Sequence, residues 1–213
     1  MQPGGRRRLL VPVALLAVGA LLFALVSLDV AEGGLLARLD PHVAGWSFVH
    51  MTGTAHSLLS WITWLGDSQV LEAFVLFGMA WLSYRRRFAD AVALGAGAAV
   101  AGLLTMAFKD AFRRARPAYV DPNELPHSFS FPSGHTSGAF TAYLLLAVVL
   151  TATLSERLRW LAVGCGLGVA AVVAATRVLL PVHYLTDVIA GACLGVAVVG
   201  GTLLLRNLAA VRG

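Results

Sequence analysis

The chain has 213 residues, 58% of them hydrophobic and only 13% charged, with a mean hydropathy of +0.79. Such a low charged share excludes an ordinary soluble domain, and the length has room for a single domain, residues 1–213, of about six helical spans. The net charge of +5 does not point to nucleic acid, because the cations stand in short clusters between apolar runs, as a positive-inside bias arranges them.

Six apolar runs follow in chain order: 9–28, 69–84, 89–108, 135–153, 159–180 and 184–205. Each reads as a transmembrane helix, which makes the fold class all-α, a six-transmembrane helix bundle. The first run follows Arg6, Arg7 and Arg8. A signal peptide is the alternative there, but the run is longer than a usual h-region and lacks a clear small-residue cleavage site, so an uncleaved helix is the preferred reading. Residues 41–68 carry Trp46, Phe48, Trp61 and Trp64 among short polar residues. That pattern suits an interfacial segment, with anchoring preferred over a substrate gate. Gly164 with Gly168, and Gly191 with Gly195, form pairs that let helices approach closely. Cys165 and Cys193 fall inside apolar runs, where a thiol behaves as a small buried hydrophobe.

The N-terminus, Arg85 to Arg87, Arg157, Arg159, Arg206 and Arg212 all fall on one side of such a bundle. That side is assigned to the cytoplasm, which makes the chain an integral protein of a bacterial-type inner membrane with both termini cytoplasmic. The opposite side carries Asp29, Glu32, Asp40, Asp67, Asp110, Asp121, Glu124 and Asp187, together with Arg38. It also carries Lys109, Arg113, Arg114, Arg116 and Arg177, which run against the bias and need their own explanation. Lys109 is the only lysine beside fifteen arginines, which hints at a position where a compact ammonium is wanted.

Three segments on that face concentrate the chemistry. Lys109, Arg113 and Arg116 share one helical face if the third span runs on past the membrane, and Pro117 would end that helix and leave the Arg116 guanidinium at a loop tip. A basic flank that snorkels to the interface is the plainer alternative. In Phe131-Pro132-Ser133-Gly134-His135-Thr136, Ser133 suits a helix N-cap and Gly134 permits close backbone approach, so free N–H groups would face an anion, with His135 beside it. An ordinary capped helix would look the same. In the third segment, Pro181 is placed to start the last helix and His183 and Asp187 are four residues apart, on one helical face. A carboxylate accepting from one imidazole nitrogen fixes the tautomer and leaves the other nitrogen free to attack.

Lys109-x6-Arg116-Pro117, Pro132-Ser133-Gly134-His135 and Arg177-x5-His183-x3-Asp187 resemble, in order and internal spacing, the three signature motifs of the type 2 phosphatidic acid phosphatase superfamily. Thr176 stands where that family usually has serine, so a hydroxyl is retained. The resemblance implies a lipid phosphatase with His183 as nucleophile on phosphorus, Asp187 as its orienting partner and His135 as general acid. Lys109, Arg116, Arg177, Ser133 and Gly134 would hold the phosphoryl oxygens, and three fixed cations could replace a metal. No cofactor or metal is expected, since Asp110, Asp121 and Glu124 lack a ligand spacing. The partners implied are the bilayer and a membrane lipid phosphate, with no nucleic acid, and the active site lies extracytoplasmically. Phosphatidate, phosphatidylglycerol phosphate and undecaprenyl diphosphate are the substrates considered. Arg113 and Arg114 favour the diphosphate if they hold its second phosphate. His42, His50, His56 and His127 match no motif and read as loop or interface histidines. A non-hydrolytic lipid-phosphate binder or translocator is the alternative function, and the oriented His183 speaks against it. The apolar runs speak against a soluble haloperoxidase-like relative, which shares similar motifs.

Overall fold

The computed structural model describes residues 3–119 and 128–212, with side chains for 9–119 and 128–210. Among these residues there are eight α-helices and no strand. They are α1 (Pro3–Glu32), α2 (Leu35–His50), α3 (Gly53–Thr63), α4 (Ser68–Tyr84), α5 (Phe88–Phe112), α6 (Gly134–Leu150), α7 (Glu156–Leu179) and α8 (Leu185–Arg212), with a 3₁₀ turn at Trp64–Gly66. Asp121, Glu124 and His127 lie outside the described residues.

Each of the six apolar runs is a helix, but the expected count of six spans is not reached on length and composition. Four helices qualify, at Leu9–Glu32, Phe88–Phe112, Glu156–Leu179 and Leu185–Ala210. A fifth span results if Gly53–Gly66 and Ser68–Tyr84, bent by 41° at their junction, are taken together. Gly134–Leu150 is too short by itself. Large apolar side chains such as Leu21, Phe77, Leu103 and Leu161 face outward, as they do where lipid rather than water is the solvent.

α8 is the central strut, packed by α1 on one side and α6 on another. Its contact with α6 depends on the glycine pair expected from sequence. A Cβ on Gly191 would stand 2.7 Å from Ser133 O, and one on Gly195 would stand 2.9 Å from Ser137 O, so the backbones touch only because neither residue has a side chain. Gly164 and Gly168 turn out to face open space; on α7 it is Gly166 that meets a neighbour, with Tyr143 O 2.9 Å from its added Cβ. Cys193 is half-buried but Cys165 is exposed on α7, contrary to its reading as a buried hydrophobe, and both thiols are free.

The segment 41–68 is two helices and a turn rather than one interfacial stretch. Its Trp46, Trp61 and Trp64 rings are exposed, as anchors would be. Its inner side nonetheless reaches the bundle, through Thr63 and the Leu65 carbonyl, which accepts from Tyr143 Oη at 2.6 Å, and Asp40 just ahead of it does the same. At the far end of the bundle Asp90 pairs with Arg87 (2.5 Å) and with Arg206, tying the α4–α5 turn to α8.

Candidate active site

The C-terminal ends of α5 and α7 and the N-terminal ends of α6 and α8 converge at one end of the bundle, and the three motifs meet there. α5 stops earlier than expected. Arg113 adopts a left-handed conformation (φ 46°) with its N–H on Lys109 O, so the helix ends at Phe112, ahead of Pro117. Lys109, Arg113 and Arg116 therefore do not share a helical face. Arg113 turns outward to Asp110 O (3.2 Å), whereas the chain beyond it carries Arg116 back over the site.

Arg116 is not at a free loop tip. Its Nε donates to Ser128 O (2.9 Å), Nη2 to Ser128 Oγ (3.2 Å), and Nη1 to both Val182 O (2.9 Å) and His183 Nε2 (3.1 Å). Lys109 Nζ donates to Phe129 O. Both cations are thus held by carbonyls of loops, which aims them without neutralising them. Arg177, buried on α7, donates from Nη1 to Thr63 Oγ1 (2.7 Å), and its Nε has no partner among the described residues.

His183 is placed just before α8, not on it. Asp187 in the first turn accepts the Tyr184 N–H at 2.9 Å, the reach-back of a capping box, so the bond that starts the helix also fixes the carboxylate beside His183 Nδ1 at 3.4 Å. Arg116 has only donors to offer, so Nε2 must be the acceptor and Nδ1 must carry the proton. Burial holds the His183 ring at a pKa of about 3, with Asp187 pulling the other way and Arg116 and Arg177 adding to the depression, so the ring is neutral at pH 7. Burial likewise lowers Arg116 from its ordinary value, against the opposing pull of Asp187.

Ser133 caps α6 as expected, its Oγ accepting from Thr136 N (3.4 Å) and Thr136 Oγ1 (3.0 Å). That side chain is fully buried against its own helix, so of the Ser133–Gly134 pair it is Gly134 that lines the site. His135, Lys109, Arg116, Arg177 and His183 line the same cavity, of about 830 Å³. From these groups the cavity continues between α4, α5 and α6, past Gly95, Ala98, Gly102, Gly138 and Ala142 to Met79. Small residues on the facing helices leave this arm empty. Among the described residues no group of three or more His, Cys, Asp or Glu is placed to hold a metal ion. His42 and His50 are exposed on α2, each bonded through Nδ1 to a carbonyl four residues back, and His56 is exposed on α3.

Three residues outside the expected set join the dyad. Ser130 Oγ donates to Asp187 Oδ2 and lies 3.3 Å from His183 Nδ1. Arg114 donates from Nη1 to Asp187 Oδ1 (2.6 Å) and Thr186 Oγ1 (2.7 Å), and from Nη2 to the buried Asp40 (2.7 Å). Burial alone would lower the Arg114 pKa, but Asp187 and Asp40 outweigh it and raise it. With Arg114 committed to two carboxylates and Arg113 turned outward, neither is free to hold a second phosphate. Nothing in the spacing around Ser130 or Asp40 marked them; only their partners do.

The bundle and its cavity define a polytopic helical membrane protein with a cationic, histidine-bearing pocket at the head of an apolar groove. The chain belongs to the PAP2 superfamily, whose family model matches residues 90–209. It is 32% identical over 144 residues to phosphatidylglycerophosphatase B of Bacillus subtilis, a match covering 66% of this chain and 70% of that protein. It is 35% identical over 128 residues to the decaprenylphosphoryl-5-phosphoribose phosphatase of Mycobacterium tuberculosis, covering 58% of this chain and 64% of that one. Among solved structures, the transmembrane PAP2-type phosphatidylglycerolphosphate phosphatase of Bacillus subtilis superposes with a TM-score of 0.76 at 25% identity, over 90% of this chain and 93% of that one. The LpxE of Aquifex aeolicus shares the fold at a TM-score of 0.55 and 21% identity, over 82% of this chain and 96% of that one.

Proposed function

We propose that the protein is a lipid phosphatase that hydrolyses a membrane lipid phosphate through a phosphohistidine on His183. The observation that carries the reading is the polarity of the His183 ring: Nδ1 faces Asp187 and a neutral Nε2 faces Arg116 at 3.1 Å, at the mouth of a cavity whose other arm is apolar.

The incoming phosphate draws the Arg116 guanidinium onto its oxygens and so uncovers the Nε2 lone pair, while Lys109, Arg177 and the Gly134 N–H hold the remaining charge. Ser133 acts through the cap that aims this N–H. Nε2 attacks phosphorus, the N–P bond forms, the ester P–O bond breaks, and His135, having taken up the proton that a monoanionic phosphate ester brings in, gives it to the departing lipid alkoxide. Water then loses a proton to His135 and attacks phosphorus; the N–P bond breaks and His183 returns to its neutral form. Asp187 holds the ring while it is transiently positive.

The apolar arm explains why the ester is a lipid. Diacyl or prenyl chains lie along the small residues of α5 and α6 while the phosphate stays at the polar end. Since Arg113 and Arg114 are turned away, a terminal monoester such as phosphatidylglycerol phosphate or phosphatidate fits better than undecaprenyl diphosphate. Two of the relatives are named for substrates with one terminal phosphate on a lipid head group. The N-terminal end of α1, the C-terminal end of α8 and the α4–α5 turn lie at the end of the bundle opposite the site and carry the cationic clusters. This supports an even number of crossings, six if α4 and α6 each cross, with cytoplasmic termini and an extracytoplasmic active site.

The test is phosphate release by purified protein from phosphatidate, phosphatidylglycerol phosphate and undecaprenyl diphosphate, with chelator present, beside His183→Ala. Release that His183→Ala abolishes is expected. Lipid binding without release from any of the three would make the protein a binder or translocator instead.

A further inference from the structure

Asp40 and Arg114 are not among the named residues of the three motifs, yet Arg114 bonds Asp187 directly and Asp40 bonds both Arg114 and Thr186. Asp40 comes from α2, 146 residues before Thr186, and is fully buried. One of its oxygens accepts the Thr186 N–H at 3.0 Å; the other takes the Thr186 hydroxyl and Arg114 Nη2. Arg114 spans the gap to Asp187 Oδ1, with its guanidinium 4.4 Å above the Tyr184 ring. The two oxygens of Asp187 are therefore divided: Oδ2 faces His183, Ser130 and the Tyr184 N–H, and Oδ1 faces Arg114.

We infer that Asp40 and Arg114 are positioning residues for the phosphoryl-transfer reaction. They set the rotation of the Asp187 carboxylate and, through it, the tautomer and ring plane of His183. The terminal torsion of an aspartate is broad and two-fold, so nothing within Asp187 itself fixes where its oxygens point. A planar fork that bonds two carboxylates at once does fix it, and stacking on Tyr184 keeps the fork from turning. Asp40 in turn holds Arg114 to this task and away from the substrate's phosphate, which neighbouring Lys109, Arg116 and Arg177 bind. A side chain adjacent to three phosphate-binding cations is thereby made part of the nucleophile's frame.

This inference rests on His183 being the nucleophile, and it is tested in the full-length protein by Arg114→Lys, Arg114→Met and Asp40→Asn. The expected result is a KM for the lipid phosphate, and an inhibition constant for inorganic phosphate, within about twofold of native, with kcat lowered by about 10-fold to 100-fold. Arg114→Lys, which keeps the charge and one contact, should recover part of what Arg114→Met loses. In protein labelled with 15N-histidine, His183 should show one neutral tautomer protonated at Nδ1 in the native chain and a mixture in Asp40→Asn. Native kcat in all three variants, or KM and the phosphate inhibition constant rising together, would overturn the inference; the second outcome would make Arg114 a phosphate contact. Failure of both Arg114→Lys and Asp40→Asn to fold would overturn it too, by making the cluster a scaffold. The nitrogen spectrum needs no turnover, so it decides the point even if the native protein releases no phosphate.

Discussion

The two arms of the cavity are made by opposite means. At the polar end the three cations and the dyad carboxylate are each aimed by a named partner: Lys109 by Phe129 O, Arg116 by Ser128 O and Val182 O, Arg177 by Thr63, Asp187 by Arg114 and Ser130. The apolar arm exists because side chains are absent, at Gly95, Ala98 and Gly102 on α5 and at Gly138 and Ala142 on α6. A site made of partners is broken by removing one atom group, whereas a site made of space is broken by adding one.

The largest effect that would separate the two arms is expected from Arg116→Ala. It removes the one guanidinium that touches Nε2, and kcat/KM should fall by roughly 10² to 10³-fold for every substrate, long-chained or soluble. A loss confined to long-chain lipids would show that Arg116 serves the groove and not the phosphate. Gly102→Leu acts on the other arm. A Cβ there meets nothing within 4 Å, and Leu favours the helix, so the protein should fold while the groove fills. We expect kcat/KM to drop about tenfold for lipid substrates, the scale of a filled hydrophobic pocket, with hydrolysis of a soluble short-chain phosphate unchanged; equal losses on both would refute the division of labour.

A smaller contrast uses α7 and α8. Gly191→Ala should cost folding stability by about 1 to 3 kcal/mol, because its Cβ meets Ser133 O at 2.7 Å. Gly168→Ala, in open space, should raise stability by up to about 1 kcal/mol through helix propensity. Thermal melting in detergent reads both. No change at all is expected in the protonation of His183 between pH 7 and 5. Its pKa of about 3 lies below the ordinary 6.5, so the folded ring stays neutral while an unfolded one takes up a proton. That difference favours the folded state fully above about pH 6.5 and less as pH falls towards 3. The same 15N-histidine label follows it, and a ring titrating near 6.5 would show that the site is wetter than its burial implies.

Much of the polar end was legible in the sequence, because phosphate binding and an oriented imidazole demand particular residue types at short spacing. The Ser133 cap stands as local chemistry predicts, and Asp187 meets His183 across four residues although His183 lies just before α8 rather than on it. Where the reading failed, a local rule was overridden: Arg113 ended α5 early, so its face-sharing with Lys109 and Arg116 was lost. Ser130, Arg114 and Asp40 carried no local signal, since a serine, an arginine among arginines and one acid among several on the same side are each commonplace.

What the chain by itself determined is therefore the class of protein, the helices and the identity of the dyad, because hydropathy and short-range spacing act within one or two turns of backbone. The tertiary structure alone decided which arginine lines the cavity and which holds a carboxylate, that α2 reaches Arg114 and Thr186 through Asp40, and that small residues leave a groove between α4, α5 and α6. Those outcomes depend on which groups meet across α2, α5, α6 and α8. A charge buried at such a meeting is tolerated only where a partner from another helix is waiting.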